Sequence, residues 1–510
     1  IDCSRNTALC TEVGDSESVW GEGHYVGHDE PSLLFYSQRP GSGNRMQYSG
    51  ILPKEPPPRA LPGLRSYDFM LYPALWFGMA MCDTQSYPLT NNQCAPHSDS
   101  NIRPAGDPTH PGAAYMELQF YPPGYVQQFD GFSCSAKQWC VALTIDSVSQ
   151  NPVTGKQLND TCAARVGLEY VNFAYLTRDG TPQGPPNPVQ FDPVASGKPQ
   201  PGKALFLNQG DRFTVTMHDT DHGLQAVVTD QTTHQRGSMT ASASNGFGQV
   251  KFAPNPSKDC VDIPADFHPM YSTSSPSTTV PWAAATYNVA IDTEIGHFDY
   301  CSSAPKPFAS CTGSEGSFQS GIEPTDFDDN YCFPASSSTL VRVNGCLDSN
   351  IGFDGTSYLR DWPNGNRFLR PTPTIFTSPT TGEDYRHQYS QVAFNTDLPR
   401  IEDSPGYGGS CNRSTGAGCT IIPKTDDGAQ AQFYPYYTSG HALGGCAWTI
   451  GQSVRNFTTR DYGRNNEYGQ ILPVTYIAGP HGATVTRFND YQNVLPNNPC
   501  PRPHAGKQER

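Results

Sequence analysis

From residue 114 onward hydrophobic and polar positions alternate with a period of two, broken by a Pro/Gly/Asn-rich loop from Asp179 to about Gly202. Met116, Leu118 and Phe120 fall on one face of an extended segment, and Tyr115, Glu117, Gln119 and Tyr121 fall on the other. The same pattern predicts strands over 139–145, 165–176, 212–218 and 224–229, with Glu169 sharing a face with Val171, Phe173 and Tyr175. Residues 33–36 read as a buried strand. Residues 71–82 form the most apolar run and predict a core strand pair or a short buried helix, with Trp76 inside it. Further short runs at 340–343, 371–376, 389–394, 432–437 and 471–477 predict more strands joined by turns.

No amphipathic helical run interrupts this series, so the expected fold class is all-β. The expected organisation is a loop-rich segment over 1–64, a jelly-roll-like β-sandwich over 65–302 and a Ser/Pro/Gly-rich linker over 303–338. A second β-rich region over 339–500 packs on the sandwich, and a disordered tail closes the chain at 501–510.

Composition sharpens this picture. The chain has 510 residues, 48 Gly and 47 Pro, and charged residues make up 16%, which replaces a Lys/Glu-rich helical surface by long loops and turns. Aromatic residues at 11% argue against disorder. Sixteen cysteines, an even number spread from Cys3 to Cys500, predict disulfides in an oxidising compartment. Cys3/Cys10, Cys82/Cys94, Cys134/Cys140 and Cys411/Cys419 are close enough in sequence to close short loops. The chain starts at Ile1 and has no apolar run long enough to span a bilayer, so a secreted, extracellular protein is expected. Sequons at Asn159, Asn412 and Asn456 admit N-glycans.

The formal charge of −15, with no cluster of Lys and Arg, excludes nucleic acid as a partner. The expected partner is neutral, a carbohydrate polymer or glycan.

Three chemistries fit the residues. In the first, paired carboxylates hydrolyse a glycosidic bond. Glu169 is the acid and Glu117 the nucleophile or base, while Glu294, on a face with Asp292, can replace either. Tyr115, Tyr121 and Trp76 stack on sugar rings beside Gln119. In the second, His218, His222, His268 and His297, all within 210–301, hold zinc or copper, with Met217 or Met270 as soft donors. A structural calcium ion at Asp29 and Glu30 fits a loop-built oxygen site. In the third, the sandwich is a non-enzymatic carbohydrate-binding or structural surface protein. A long polar loop with Cys94, His97 and His110 is expected to be functional or tied by a disulfide. The chain contains no GxSxG, no HExxH and no phosphate-binding loop.

Overall fold

The structure is a computed structural model. It describes residues 32–36, 41–54, 74–85, 93–98, 113–121, 135, 137–148, 159–166, 169–191, 198–251, 259–269, 288–294, 374–389, 391–397, 436–443, 445–450, 460–462, 472–478, 483–495 and 498–500. The expected linker, the tail, Asp29, Glu30, His297, Asn412 and Asn456 lie outside these residues.

In chain order the first strands are β1 (Ser32–Tyr36), β2 (Arg45–Ile51), β3 (Ala74–Cys82), β4 (Ala113–Tyr121), β5 (Gln138–Val148) and β6 (Glu169–Tyr175). Next come β7 (Phe206–Asn208), β8 (Arg212–Thr220), β9 (Gly223–Asp230), β10 (Arg236–Thr240), β11 (Gly248–Val250), β12 (Asp262–Pro264), β13 (His268–Pro269) and β14 (Asn288–Glu294). The C-terminal set is β15 (Thr374–Thr377), β16 (Thr380–Thr381), β17 (His387–Gln388), β18 (Gln391–Asp397), β19 (Tyr436–Ala442), β20 (Gly445–Ile450), β21 (Arg460–Tyr462), β22 (Leu472–Ala478) and β23 (Ala483–Leu495).

These strands make an all-β fold of antiparallel sheets. One sheet runs β22-β23-β18-β1-β14-β3-β4-β5-β6, and the other runs β10-β9-β8-β2-β15-β20-β19-β21. A small third sheet pairs β11 with β12. Two strands from the segment expected to be loop-rich are central: β1 lies between β14 and β18, and β2 between β8 and β15. Strands from 65–302 and from 339–500 therefore share both large sheets.

The two sheets meet through their apolar faces. In β8 alternate residues are buried, so Phe213, Val215 and Met217 point inward. From the opposite sheet come Phe77, Leu118, Phe120 and Leu143. Aromatic contacts cross the interface: Tyr48 stacks on Phe77 at 5.6 Å, Phe120 meets Phe213 at 4.8 Å, and Phe35 meets Trp448 at 6.0 Å. Each such side chain stabilises the fold by about 1.5–3 kcal/mol through burial alone. The apolar run at 71–82 contributes a single strand, β3. Period two fixes its inward residues as Leu75, Phe77, Met79 and Met81.

One predicted strand begins late. Residues 160–166, of which the last two were read as strand, form a short helix, α1 (Asp160–Val166), and β6 starts at Glu169. Capping decides this outcome. The Asn159 side-chain oxygen accepts the Cys162 amide at 2.9 Å, and Asp160 sits in the first turn, where a negative charge is favoured. Asn159 is fully buried, and its Nδ2 donates to the carbonyls of Lys251 and Asp259. That nitrogen is the atom a glycan would occupy, so the sequon at Asn159 serves as a helix cap.

Disulfides join Cys82 to Cys94, Cys162 to Cys260 and Cys446 to Cys500. The first is a pair suggested by sequence proximity. No described cysteine is free. Among the described residues no helix is long and apolar enough to cross a membrane.

Candidate functional site

The face of β4 opposite the core carries Tyr115, Glu117, Gln119 and Tyr121, as alternation requires. Gln119 Nε2 donates to Glu117 Oε2, and the Tyr121 hydroxyl donates to Gln119 Oε1. These side chains form a ladder along one strand. Gly78 is the register partner of Glu117, and a Cβ there would collide with the Tyr115 hydroxyl, so the glycine makes room for that ring. The ladder is covered: Tyr115, Glu117 and Tyr121 are each 6% exposed, and Tyr121 belongs to an apolar cluster with Cys140, Ala142, Tyr175 and Ala204. The two tyrosines expected to form a sugar-stacking floor are thus an inner layer.

Register places the other expected carboxylates. Glu169 pairs with Val148 and Glu117 with Thr144, which separates their Cα atoms by two strands and four positions, or about 17 Å. The 5 to 10 Å of a glycosidase pair is measured between carboxyl groups, so two glutamates at this Cα spacing would have to reach toward each other to form one. Glu294, opposite Ala74, lies about as far from Glu117. Asp292 is nearer. It pairs with Trp76, which pairs with Gln119, and its Cα is about 12 Å from that of Glu117.

A second constellation lies at one end of the sandwich, in the stretch rich in histidine. Asp219, on β8, has a fully buried carboxylate. Its Oδ1 lies 2.8 Å from Nδ1 of the buried His268, and its Oδ2 accepts the His97 amide at 2.9 Å. Its own amide donates to the Asn44 carbonyl at 2.6 Å. The local sequence explains the convergence. β13 sets His268 opposite Cys82, and the Cys82–Cys94 disulfide holds the loop that carries His97, whose φ is 52°.

Around Asp219 opens a pocket of about 500 Å³. The turn before β2 supplies Ser42 and Asn44, the start of β2 supplies Arg45, the tied loop supplies His97, β16 supplies Thr381 and the β16–β17 connection supplies Glu383. Ser42 is 2% exposed, and its hydroxyl has no hydrogen-bond partner. A buried hydroxyl without a partner costs free energy, which a ligand can recover.

Of the histidines expected to share a metal, His218, His222 and His268 are described, and they do not form a ligand group. His268 is committed to Asp219, while His222 lies in the β8–β9 turn, exposed, with Nδ1 3.9 Å from Asp266. That turn closes on Gly223 at φ 102°, where a Cβ would stand 2.3 Å from the Ala241 carbonyl oxygen. Among the described residues no group of three or more His, Cys, Asp and Glu side chains stands where it could hold a metal ion.

His218 is half-buried beside Arg45. Its pKa is lowered from the ordinary 6.5, first by burial and next by Arg45, with Asp219 pulling the other way. The folded chain therefore holds this proton less tightly than the unfolded chain. The resulting stability is present above pH 6.5 and is lost as pH falls through the lowered pKa. His218→Gln is expected to flatten the acid-side decline in melting temperature between about pH 5 and 7, read by thermal denaturation. An unchanged profile would show that other groups set it.

Sequence reading singled out His218, His222 and His268 and the His97 loop. It missed Ser42, Arg45, Thr381 and Glu383, which carry no motif and meet only through pairing of β2 with β8 and β16. No family model, no curated protein and no solved structure matches the chain.

Proposed function

We propose that the protein is an extracellular carbohydrate-binding protein whose recognition site is the polar pocket around Asp219. The observation that carries this reading is the buried, unpartnered Ser42 hydroxyl in a pocket shared with Asn44, Arg45 and Glu383. Sugar hydroxyls both donate and accept, and such a lining offers amide, guanidinium, hydroxyl and carboxylate groups together. A volume of about 500 Å³ suits a small ligand. The disulfides and the net charge of −15 are compatible with a protein of the extracellular space.

Glycoside hydrolysis is the second reading. The register that brings the Asp292 and Glu117 backbones within about 12 Å favours it, and the burial of Glu117 ranks it lower. Incubation with a panel of polysaccharides and glycans separates the two. Retention of a glycan with no new product is expected. Release of oligosaccharides that Glu117→Gln or Asp292→Asn lowers about 100- to 10,000-fold would assign hydrolysis to the β4 face instead.

A further inference from the structure

The groups that line the pocket differ in what they leave uncommitted. Asp219 already has a partner on each carboxylate oxygen. The Thr381 hydroxyl donates to the Arg45 carbonyl at 2.6 Å. Arg45 itself is different. Its Nη1 donates to the Glu383 carbonyl at 3.1 Å, and its guanidinium lies 5.9 Å from the centroid of the Tyr385 ring. Among the described residues no carboxylate oxygen stands within ion-pair distance of it; the pairs there involve His97, His222, His268 and Arg386. A guanidinium has five N–H donors in a planar fork, so most of this one remains open.

The uncommitted donors therefore include the Arg45 fork and the Ser42 hydroxyl, with the Asn44 side-chain amide beside them. A planar carboxylate is the acceptor whose two oxygens match such a fork, and it is the acceptor a hydroxyl binds most strongly. The exposed Glu383 side chain adds an acceptor for ligand hydroxyls. We infer, resting on the carbohydrate reading of this pocket, that it selects a sugar acid. The carboxylate sits on Arg45 and Ser42, and the ring hydroxyls face Asn44 and Glu383. The net charge of −15 opposes a dense polyanion, so the ligand is a free sugar acid or a single acidic residue at the end of a glycan.

Titration calorimetry on the full chain with D-glucuronate, D-glucose and acetate tests this. Glucuronate is expected to bind roughly tenfold or more tightly than glucose, the factor that about 1.4 kcal/mol from one charge-assisted contact supplies. Acetate should bind weakly, because it lacks the hydroxyls. Arg45→Gln should abolish the preference for glucuronate. Ser42→Ala should weaken glucuronate several-fold, and it should leave thermal stability unchanged or raised, because the hydroxyl it removes has no partner without ligand. Equal binding of glucose and glucuronate, or a preference that survives Arg45→Gln, would overturn acid selectivity and leave the carbohydrate reading standing. Acetate binding as tightly as glucuronate would overturn the sugar part. If neither sugar binds to the folded chain, both the inference and the carbohydrate reading fall.

Discussion

Asp219→Ala is expected to lower the free energy of unfolding by about 2–5 kcal/mol, measured by urea denaturation at neutral pH. The carboxylate has no exposure, and two groups depend on it: the ring of His268, itself 5% exposed, and the main-chain amide of His97. Alanine leaves the buried His268 ring without a partner where water does not reach, at a cost of about 1–3 kcal/mol, and it removes the acceptor that fixes the His97 amide at the pocket wall. Asp219→Asn separates charge from shape. It keeps one oxygen acceptor and turns the other into a donor facing an N–H, so about half the loss is expected. The loop at 93–98 should open in both variants, because Asp219 is the inward anchor of His97, which hydrogen exchange at the His97 amide would report. A loss below about 0.5 kcal/mol for alanine would mean the network does not form, since that is the range of surface substitutions.

The same residues show how far the sequence could be read. Alternation places Tyr115, Glu117, Gln119 and Tyr121 on one strand face, because a pleated strand has no other way to arrange them. It cannot say whether that face meets solvent. The burial of Tyr115, Glu117 and Tyr121 turns an expected binding floor into a second packed layer, and around Tyr121 that layer includes Tyr175 and Ala204, both distant in sequence. The spacing of the carboxylates is hidden from the sequence for a related reason. Glu117 and Glu169 share a face, but their separation depends on register, which sets them four positions apart. Histidine clustering drew attention to the stretch that carries Asp219 and His268. Asp219 lies beside two of the flagged histidines, and its acceptor capacity is used within the fold. Arg45 and Glu383 are more than three hundred positions apart in the chain, and only the docking of β16 on β2 unites them.

Two of the disulfides, Cys162–Cys260 and Cys82–Cys94, are expected to act differently when removed. Replacing Cys162 and Cys260 together by alanine opens a loop of sequence separation 98. Chain entropy assigns such a closure about 4–5 kcal/mol, and the pair also anchors α1 against Val250 in a small buried cluster. A drop in unfolding free energy of about 2–5 kcal/mol is therefore expected, with ligand binding at the pocket unchanged. The pair Cys82 and Cys94 closes a separation of 12, for which the same reasoning gives about 3 kcal/mol. Its removal should cost less stability but weaken pocket binding, because this bridge holds the loop that presents His97 to Asp219. Denaturation and calorimetry on both double variants decide the matter. Loss of binding in both would show that the pocket depends on global stability; loss in the Cys82/Cys94 variant alone would show that it depends on one tethered loop.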